Sequence, residues 1–165
     1  MDNYSFQSVE ISANIIPLLA DFTCGVEMMD DILHSQGLLS ELNTENPVAY
    51  CVYDDNHVLV GFCIWGIIYQ PVDFNGECEL IPMIDIACLA VHKDYQFRGI
   101  GTAILNVVCE KSSNIIPSVQ FVHVDALDCE DGSYSAVPFY IKYGFEYYSR
   151  AGEDAARMLY KLKSV

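Results

Sequence analysis

The sequence predicts an α/β (α+β) domain built as one mixed sheet with helices on its faces. Three observations point there. The early half carries an antiparallel hairpin, Val48–Tyr53 and Val58–Tyr69, around the polar turn Asp54-Asp55-Asn56. The later half alternates strand, helix, strand and helix, the order that puts helices against a sheet. Finally, 165 residues with 52% hydrophobic side chains suffice for one core, and no linker divides them. A single domain over residues 1–165 is therefore expected.

The elements follow in order. Asn3 to Ile11 reads as a first strand. Asp21-Phe22-Thr23-Cys24-Gly25 breaks the pattern, after which Val26, Met29, Ile32 and Leu33 recur at helical spacing. Asn43 to Pro47 interrupts again before the hairpin. Pro71 to Gly76 reads as a loop and Ile81 to Val91 as a further strand. Ile100 to Cys109 is a helix entered through a glycine turn, and Val119 to Ala126 a strand. Ser135 to Tyr143 is a helix, since Pro138 is tolerated only in a first helical turn. Phe145–Ser149 and Arg157–Leu162 close the chain as short strands.

Charge narrows the function. There are 23 acidic and 8 basic residues, a net charge of −15, so the basic footprint of a nucleic-acid binder is missing. Residues 1–92 hold fourteen carboxylates and no Lys or Arg; Lys93 is the first basic side chain. The seven cysteines form no Cys-x-x-Cys pair, and Cys51, Cys63 and Cys88 lie in apolar runs. They read as reduced thiols, as in the cytoplasm, rather than a disulfide framework. Met1-Asp2-Asn3-Tyr4 lacks the basic start and apolar core of a signal peptide. Val58–Tyr69 is shorter than the ~20 residues that span a bilayer. A soluble cytoplasmic protein without a membrane partner is expected. His34, His57 and the cysteines show no ligand spacing, so no metal is expected either.

The informative segment runs from Asp85 through Leu89-Ala90-Val91-His92-Lys93 to Gln96-Phe97-Arg98-Gly99-Ile100-Gly101-Thr102. An apolar strand enters a loop, and a Gly-x-Gly opens a helix. The free N–H groups and dipole of a helix start attract anions, phosphate above all. Glycine is about 7% of residues, so a Gly-x-Gly alone is better explained by a helix start against a strand. A dinucleotide fingerprint fails because Phe97 and Ile104 stand where further glycines belong, and a P-loop fails because no Lys precedes Thr102.

Gln96-x-x-Gly99-x-Gly101, preceded by Leu89-Ala90-Val91, resembles the acetyl-CoA signature of the GNAT (GCN5-related N-acetyltransferase) superfamily. Ala136-x-x-Phe139-Tyr140-x-x-x-Gly144-Phe145 is similar to its second block, and Asp85 stands where histone acetyltransferases of the superfamily carry a glutamate. The resemblance covers about residues 48–165. It implies six or seven strands, about four helices, and a splay between strands 4 and 5 that admits acetyl-CoA. Phe97, Arg98, Gly99, Ile100, Gly101 and Thr102 would hold the pyrophosphate through backbone N–H groups, with Gln96 in the same motif. The backbone of Leu89, Ala90 and Val91 would pair with the pantetheine arm. Phe139 and Ser133 would also line the cofactor site, Ser133 replacing the usual Asn.

Two candidates carry chemistry. Asp85 shares a strand face with Ala87, Leu89 and Val91. It is either a general base, directly or through water, or a strand-end carboxylate satisfied by backbone. Tyr140 is either packing, beside Val137, Phe139, Ile141 and Phe145, or the acid that the family uses to protonate the CoA thiolate. Tyr143, one turn away, is a substitute. His123, on one face with Phe121 and Asp125, reads as a structural histidine, and His92 as solvent-facing. Asp125, Asp128, Glu130 and Asp131 read as a solvated acidic run or as the acceptor mouth.

The expected activity is transfer of an acetyl group from acetyl-CoA to a cationic primary amine, on a small molecule or peptide. The alternatives are a toxin acetylating aminoacyl-tRNA, which Asp21–Gly25 with Met29 and Leu33 resembles, and a non-catalytic acyl-CoA-binding protein. A polyanionic acceptor is disfavoured by the acid through residue 92. A homodimer is an open possibility.

Overall fold

In a computed structural model the described residues are 3–35, 37–40, 42–115 and 117–163. They form β1 (Ser5–Val9), α1 (Ile15–Leu19), α2 (Glu27–His34), β2 (Glu45–Tyr53), β3 (Leu59–Phe74) and β4 (Glu77–Val91). A 3₁₀ turn (Lys93–Tyr95) leads into α3 (Ile100–Ile115), followed by β5 (Phe121–Leu127), α4 (Val137–Tyr143), β6 (Glu146–Arg150) and β7 (Ala155–Lys161). Seven strands make one mixed sheet in the order β1-β2-β3-β4-β5-β7-β6. The ladder between β4 and β5 is the parallel one, and it is two pairs long: Ile84↔Val122 and Asp85↔His123. This is the expected α/β class, with the strands splayed after those pairs.

The chain divides into two compact units, Met1–Gly66 with Ala87–Leu105 and Ile67–Ile86 with Asn106–Val165. In the first, α1 and α2 close over one sheet face. Ile15, Leu19, Phe22 and Leu33 pack against Ala49 and Cys51 of β2, Phe62 and Ile64 of β3, and Cys88 and Ala90 of β4. The linker between the helices is held by Asp30, which accepts from the Thr23 hydroxyl at 2.6 Å and the Cys24 N–H at 2.8 Å. In the second unit, β5 pairs with β7 antiparallel from Phe121↔Lys161 to Leu127↔Ala155. Its buried side chains include Ile84, Val122, Val124, Tyr140, Phe145 and Met158.

Element ends differ from the sequence reading where polar residues imitate breaks. β3 and β4 run on through the expected loop as far as Phe74 and from Glu77, leaving only Asn75-Gly76, both at positive φ (55° and 87°), to turn the chain. Asn-Gly is the residue pair this hairpin turn favours. Pro71 lies inside the 16-residue β3, near its end. β2 likewise begins at Glu45 rather than Val48. α3 continues six residues past Cys109: Ser112, Ser113 and Asn114 turn their side chains back onto the carbonyls of Val108, Cys109 and Glu110. α1, carrying Pro17, was not foreseen.

Candidate active site

In the first unit the glycine turn is built tightly. After Val91, His92 N–H bonds the Val60 carbonyl at 2.9 Å and Lys93 N–H bonds the Thr23 carbonyl at 2.9 Å. The Gln96 side-chain amide donates to the carbonyls of Cys24 at 2.8 Å and Val91 at 3.1 Å, so Gln96 shapes the turn with its side chain. Phe97 sits at φ = 62° and Gly99 at φ = 84°. A Cβ built on Gly99 meets nothing within 4 Å, so the positive φ is what calls for glycine there. The Phe97 ring is fully exposed and Ile100 is buried, anchoring the start of α3. Arg98 lies 4.9 Å over the Tyr95 ring and donates to the Asp94 carbonyl at 2.9 Å, and Tyr95 donates to Asp54 at 2.8 Å. Gly101 is buried and Thr102 exposed. The first N–H groups of the 16-residue helix have no intrahelical acceptor, which makes this turn a place for an anion.

Leu89 and Val91 are half-buried and Ala90 buried, the alternation expected of a strand with one open face. His92 does not face solvent. Its side chain is 16% exposed and is wedged edge-on against Phe22 and Tyr95.

In the second unit register alone assembles a row of charge. Asp85 lies opposite His123, and Asp125 opposite Arg157. His123 Nδ1 donates to Asp85 Oδ1 at 2.7 Å. Its Nε2 is 3.2 Å from Asp125 Oδ1, within ion-pair distance but out of line for a hydrogen bond, so that contact is Coulombic. Arg157 grips Asp125 with both Nε (3.0 Å) and a terminal nitrogen (3.1 Å). Burial alone would lower the His123 pKa, but the carboxylates of Asp125 and Asp85 override it and raise it to about 9. Asp125 is pushed up by burial and pulled further down by His123 and Arg157, to about 2. His123 is therefore a buried imidazolium between two carboxylates. The sequence placed His123 and Asp125 on one face; the partners across β4 and β7 needed the strand register.

Tyr140 is the one α4 residue that is buried. Its ring meets Phe139 at 5.0 Å and Phe145 at 5.2 Å, both edge-on. Ile141, expected on the core face, is instead 51% exposed. Tyr143 donates to Asn106 Oδ1 at 2.9 Å, and burial followed by its contact with Cys109 pushes its phenol well above the ordinary range. Ser133 is exposed in the loop before α4, its N–H bonded to Asp131 at 2.9 Å. The acidic run is partly neutralised: Asp128 pairs with Arg150, as Asp125 does with Arg157. Burial raises Cys24 to about 11 and Cys88 to about 12, leaving both thiols inert as nucleophiles. Among the described residues no group of three or more His, Cys, Asp and Glu is placed to hold a metal ion. No helix of the described residues is long and apolar enough to cross a membrane.

The acetyltransferase (GNAT) domain family matches residues 46–147. The chain belongs to the GNAT acetyltransferase family. The matched stretch of this GNAT chain takes in the glycine turn, the Asp85–His123 pair and α4. Solved structures share its fold across nearly the whole length. A bacterial toxin is 20% identical with a TM-score of 0.73, over 98% of this chain and 92% of its own. A tyrosine-to-phenylalanine variant of the toxin AtaT, bound to the C-terminus of the antitoxin AtaR and acetyl-CoA, is 18% identical with a TM-score of 0.65, over 99% and 96%. AtaT complexed with acetyl-methionyl-tRNAfMet is 18% identical with a TM-score of 0.64, over 94% of each chain. No curated protein sequence matches the chain.

Proposed function

We propose that this GNAT chain is one cytoplasmic catalytic domain over residues 1–165, transferring acetyl from acetyl-CoA directly to a cationic primary amine. The acceptor class is carried by one observation: fourteen carboxylates and no Lys or Arg through residue 92. Acetyl-CoA fits the turn. Two positive-φ residues, Phe97 and Gly99, precede the start of a long helix, with exposed Arg98 beside them. Backbone N–H groups from Phe97 to Thr102 would hold its pyrophosphate. The backbone of Leu89, Ala90 and Val91 would pair with the pantetheine arm, with Phe139 and Ser133 lining the site. The AtaT structure with acetyl-CoA supports this assignment through shared fold.

The thioester supplies the activated acetyl group. Asp85 takes the proton from the attacking amine, directly or through water, and Tyr140 gives one to the departing thiolate. Inert Cys24 and Cys88 support direct transfer rather than an acetylated cysteine.

A second reading is favoured by the full-length likeness to toxins, one of them complexed with an acetylated aminoacyl-tRNA and one bound to its antitoxin. In it, the acceptor is aminoacyl-tRNA and an antitoxin is a protein partner. Binding so dense a polyanion relies on Lys and Arg, which the first 92 residues lack. The test is thiol release from acetyl-CoA with spermidine, a lysine peptide, an aminoglycoside and aminoacyl-tRNA side by side. Turnover of the cations is the expected result. Turnover of aminoacyl-tRNA alone establishes the toxin reading, and acetyl-CoA binding without any turnover reduces the chain to an acyl-CoA-binding protein.

A further inference from the structure

We propose that His123 is a positioning residue for acetyl transfer, holding Asp85 by Oδ1 so that Oδ2 is the oxygen presented to the acceptor amine. This rests on the reading of Asp85 as the base.

The geometry distinguishes this role from others open to a buried histidine. A carboxylate only accepts, so the 2.7 Å contact makes Nδ1 a donor to Asp85. The histidine side chain is 5% exposed and that of Asp85 15%, so water does not compete strongly for either. His123 is not itself the base: with Nδ1 donating to Asp85, only Nε2 could take a proton, and the Asp125 carboxylate 3.2 Å away holds that nitrogen protonated. Nor does it relay a proton onward: Nε2 is 3.2 Å from Asp125 but off the hydrogen-bond line. What remains is a fixed cation. Asp125 steadies the far side of the ring, and Arg157 clamps Asp125 through two bonds, so three strands, β4, β5 and β7, set the orientation of one carboxylate. The charged groups that face the ring are Asp85 from β4 and Asp125 from β5, with Arg157 of β7 behind Asp125. No hydrogen bond to Asp85 Oδ2 is made among the described residues. In the reaction, the ammonium proton of the acceptor passes to Oδ2. A neutral amine and a carboxylic acid result, and the acid returns the proton to water.

Three variants with spermidine as the probe acceptor test this. His123→Leu removes the donor at similar size, His123→Asn keeps an N–H near the Nδ1 position, and Asp85→Asn removes the base. The expected result is that His123→Leu lowers kcat/KM for spermidine about 10–100-fold, the cost of a misplaced reacting group. Acetyl-CoA affinity stays within about twofold and His123→Asn recovers most of the loss. His123→Leu at wild-type rate beside a damaged Asp85→Asn overturns the proposal and leaves Asp85 as the base. A silent Asp85→Asn removes the base assignment and the proposal with it. Should His123→Leu not fold, NMR titration of the His123 ring in the wild type decides without any acceptor. A midpoint near 9 that falls in Asp85→Asn supports the lock, and a midpoint near the ordinary 6.5 overturns it.

Discussion

Tyr140 and Tyr143 lie one turn apart on α4, and their surroundings differ. Tyr140 is buried edge-on between Phe139 and Phe145, which fixes its ring. Tyr143 donates to Asn106, and burial with its Cys109 contact raises its phenol, both of which count against it as the acid. Tyr140→Phe is expected to lower turnover by about 10²–10⁴-fold, with acetyl-CoA affinity unmoved in calorimetry. Tyr143→Phe is expected to leave turnover within about threefold; the reverse pattern would exchange the two roles. His123 makes a separate prediction about stability. Its pKa is raised in the fold, so its stabilisation is complete below about 6.5 and is lost as pH rises through about 9. That loss is on the order of 3 kcal/mol, a fall in Tm of about 6–12 °C between those pH values by calorimetry. His123→Asn is expected to flatten that fall. At this scale the sequence singles out candidates and says little of their partners. Tyr140 is a candidate by its spacing to Gly144-Phe145, and Asp85 by its place before Leu89-Ala90-Val91. That His123 faces Asp85, and Asp125 faces Arg157, depends on cross-strand register between residues 38 and 32 positions apart. No local pattern encodes that.

The turn between β4 and α3 is the element on which acetyl-CoA binding is expected to depend. Its shape comes from three sources: the Gln96 amide tied to Cys24 and Val91, the buried Ile100, and the left-handed backbone at Phe97 and Gly99. A non-glycine residue in that backbone region costs about 1–2 kcal/mol, more when β-branched. Gly99→Val is therefore expected to distort the turn through φ, even though a Cβ meets no neighbour there. Acetyl-CoA affinity in calorimetry should fall at least about tenfold, with the fold retained by circular dichroism. Unchanged affinity in the folded variant would move the pyrophosphate elsewhere. The turn was legible because its glycines and flanking apolar strand are contiguous. The long β3–β4 hairpin was not, because Pro71 resembles a break although β3 runs through it to Phe74. The end of α3 was hidden likewise by Ser112, Ser113 and Asn114, whose side chains return to the helix's own carbonyls.

For the molecule as a whole, charge is what sets the two acceptor readings apart. A net charge of −15 falls mostly on the part of the sequence before Lys93, where nothing basic offsets it. Later acids are better compensated, as Asp125 with Arg157 and Asp128 with Arg150 show. Acetyl-CoA, although anionic, is expected to need only the local dipole and N–H groups of one helix start beside Arg98. A tRNA needs many phosphates neutralised at once, and its binding weakens steeply with salt even where lysines are plentiful. A polyamine or lysine-rich peptide instead gains from the long-range field, which raises its encounter rate. That field is screened as the Debye length falls from about 10 Å at 0.1 M salt to about 3 Å at 1 M. Cationic amines are therefore expected to be acetylated with higher kcat/KM than neutral amines of similar size at 0.1 M salt. The ratio should shrink toward one at 1 M. A preference that survives high salt would place discrimination in direct contacts at the site, and efficient acetylation of aminoacyl-tRNA with cationic amines ignored would give the acceptor to the toxin reading.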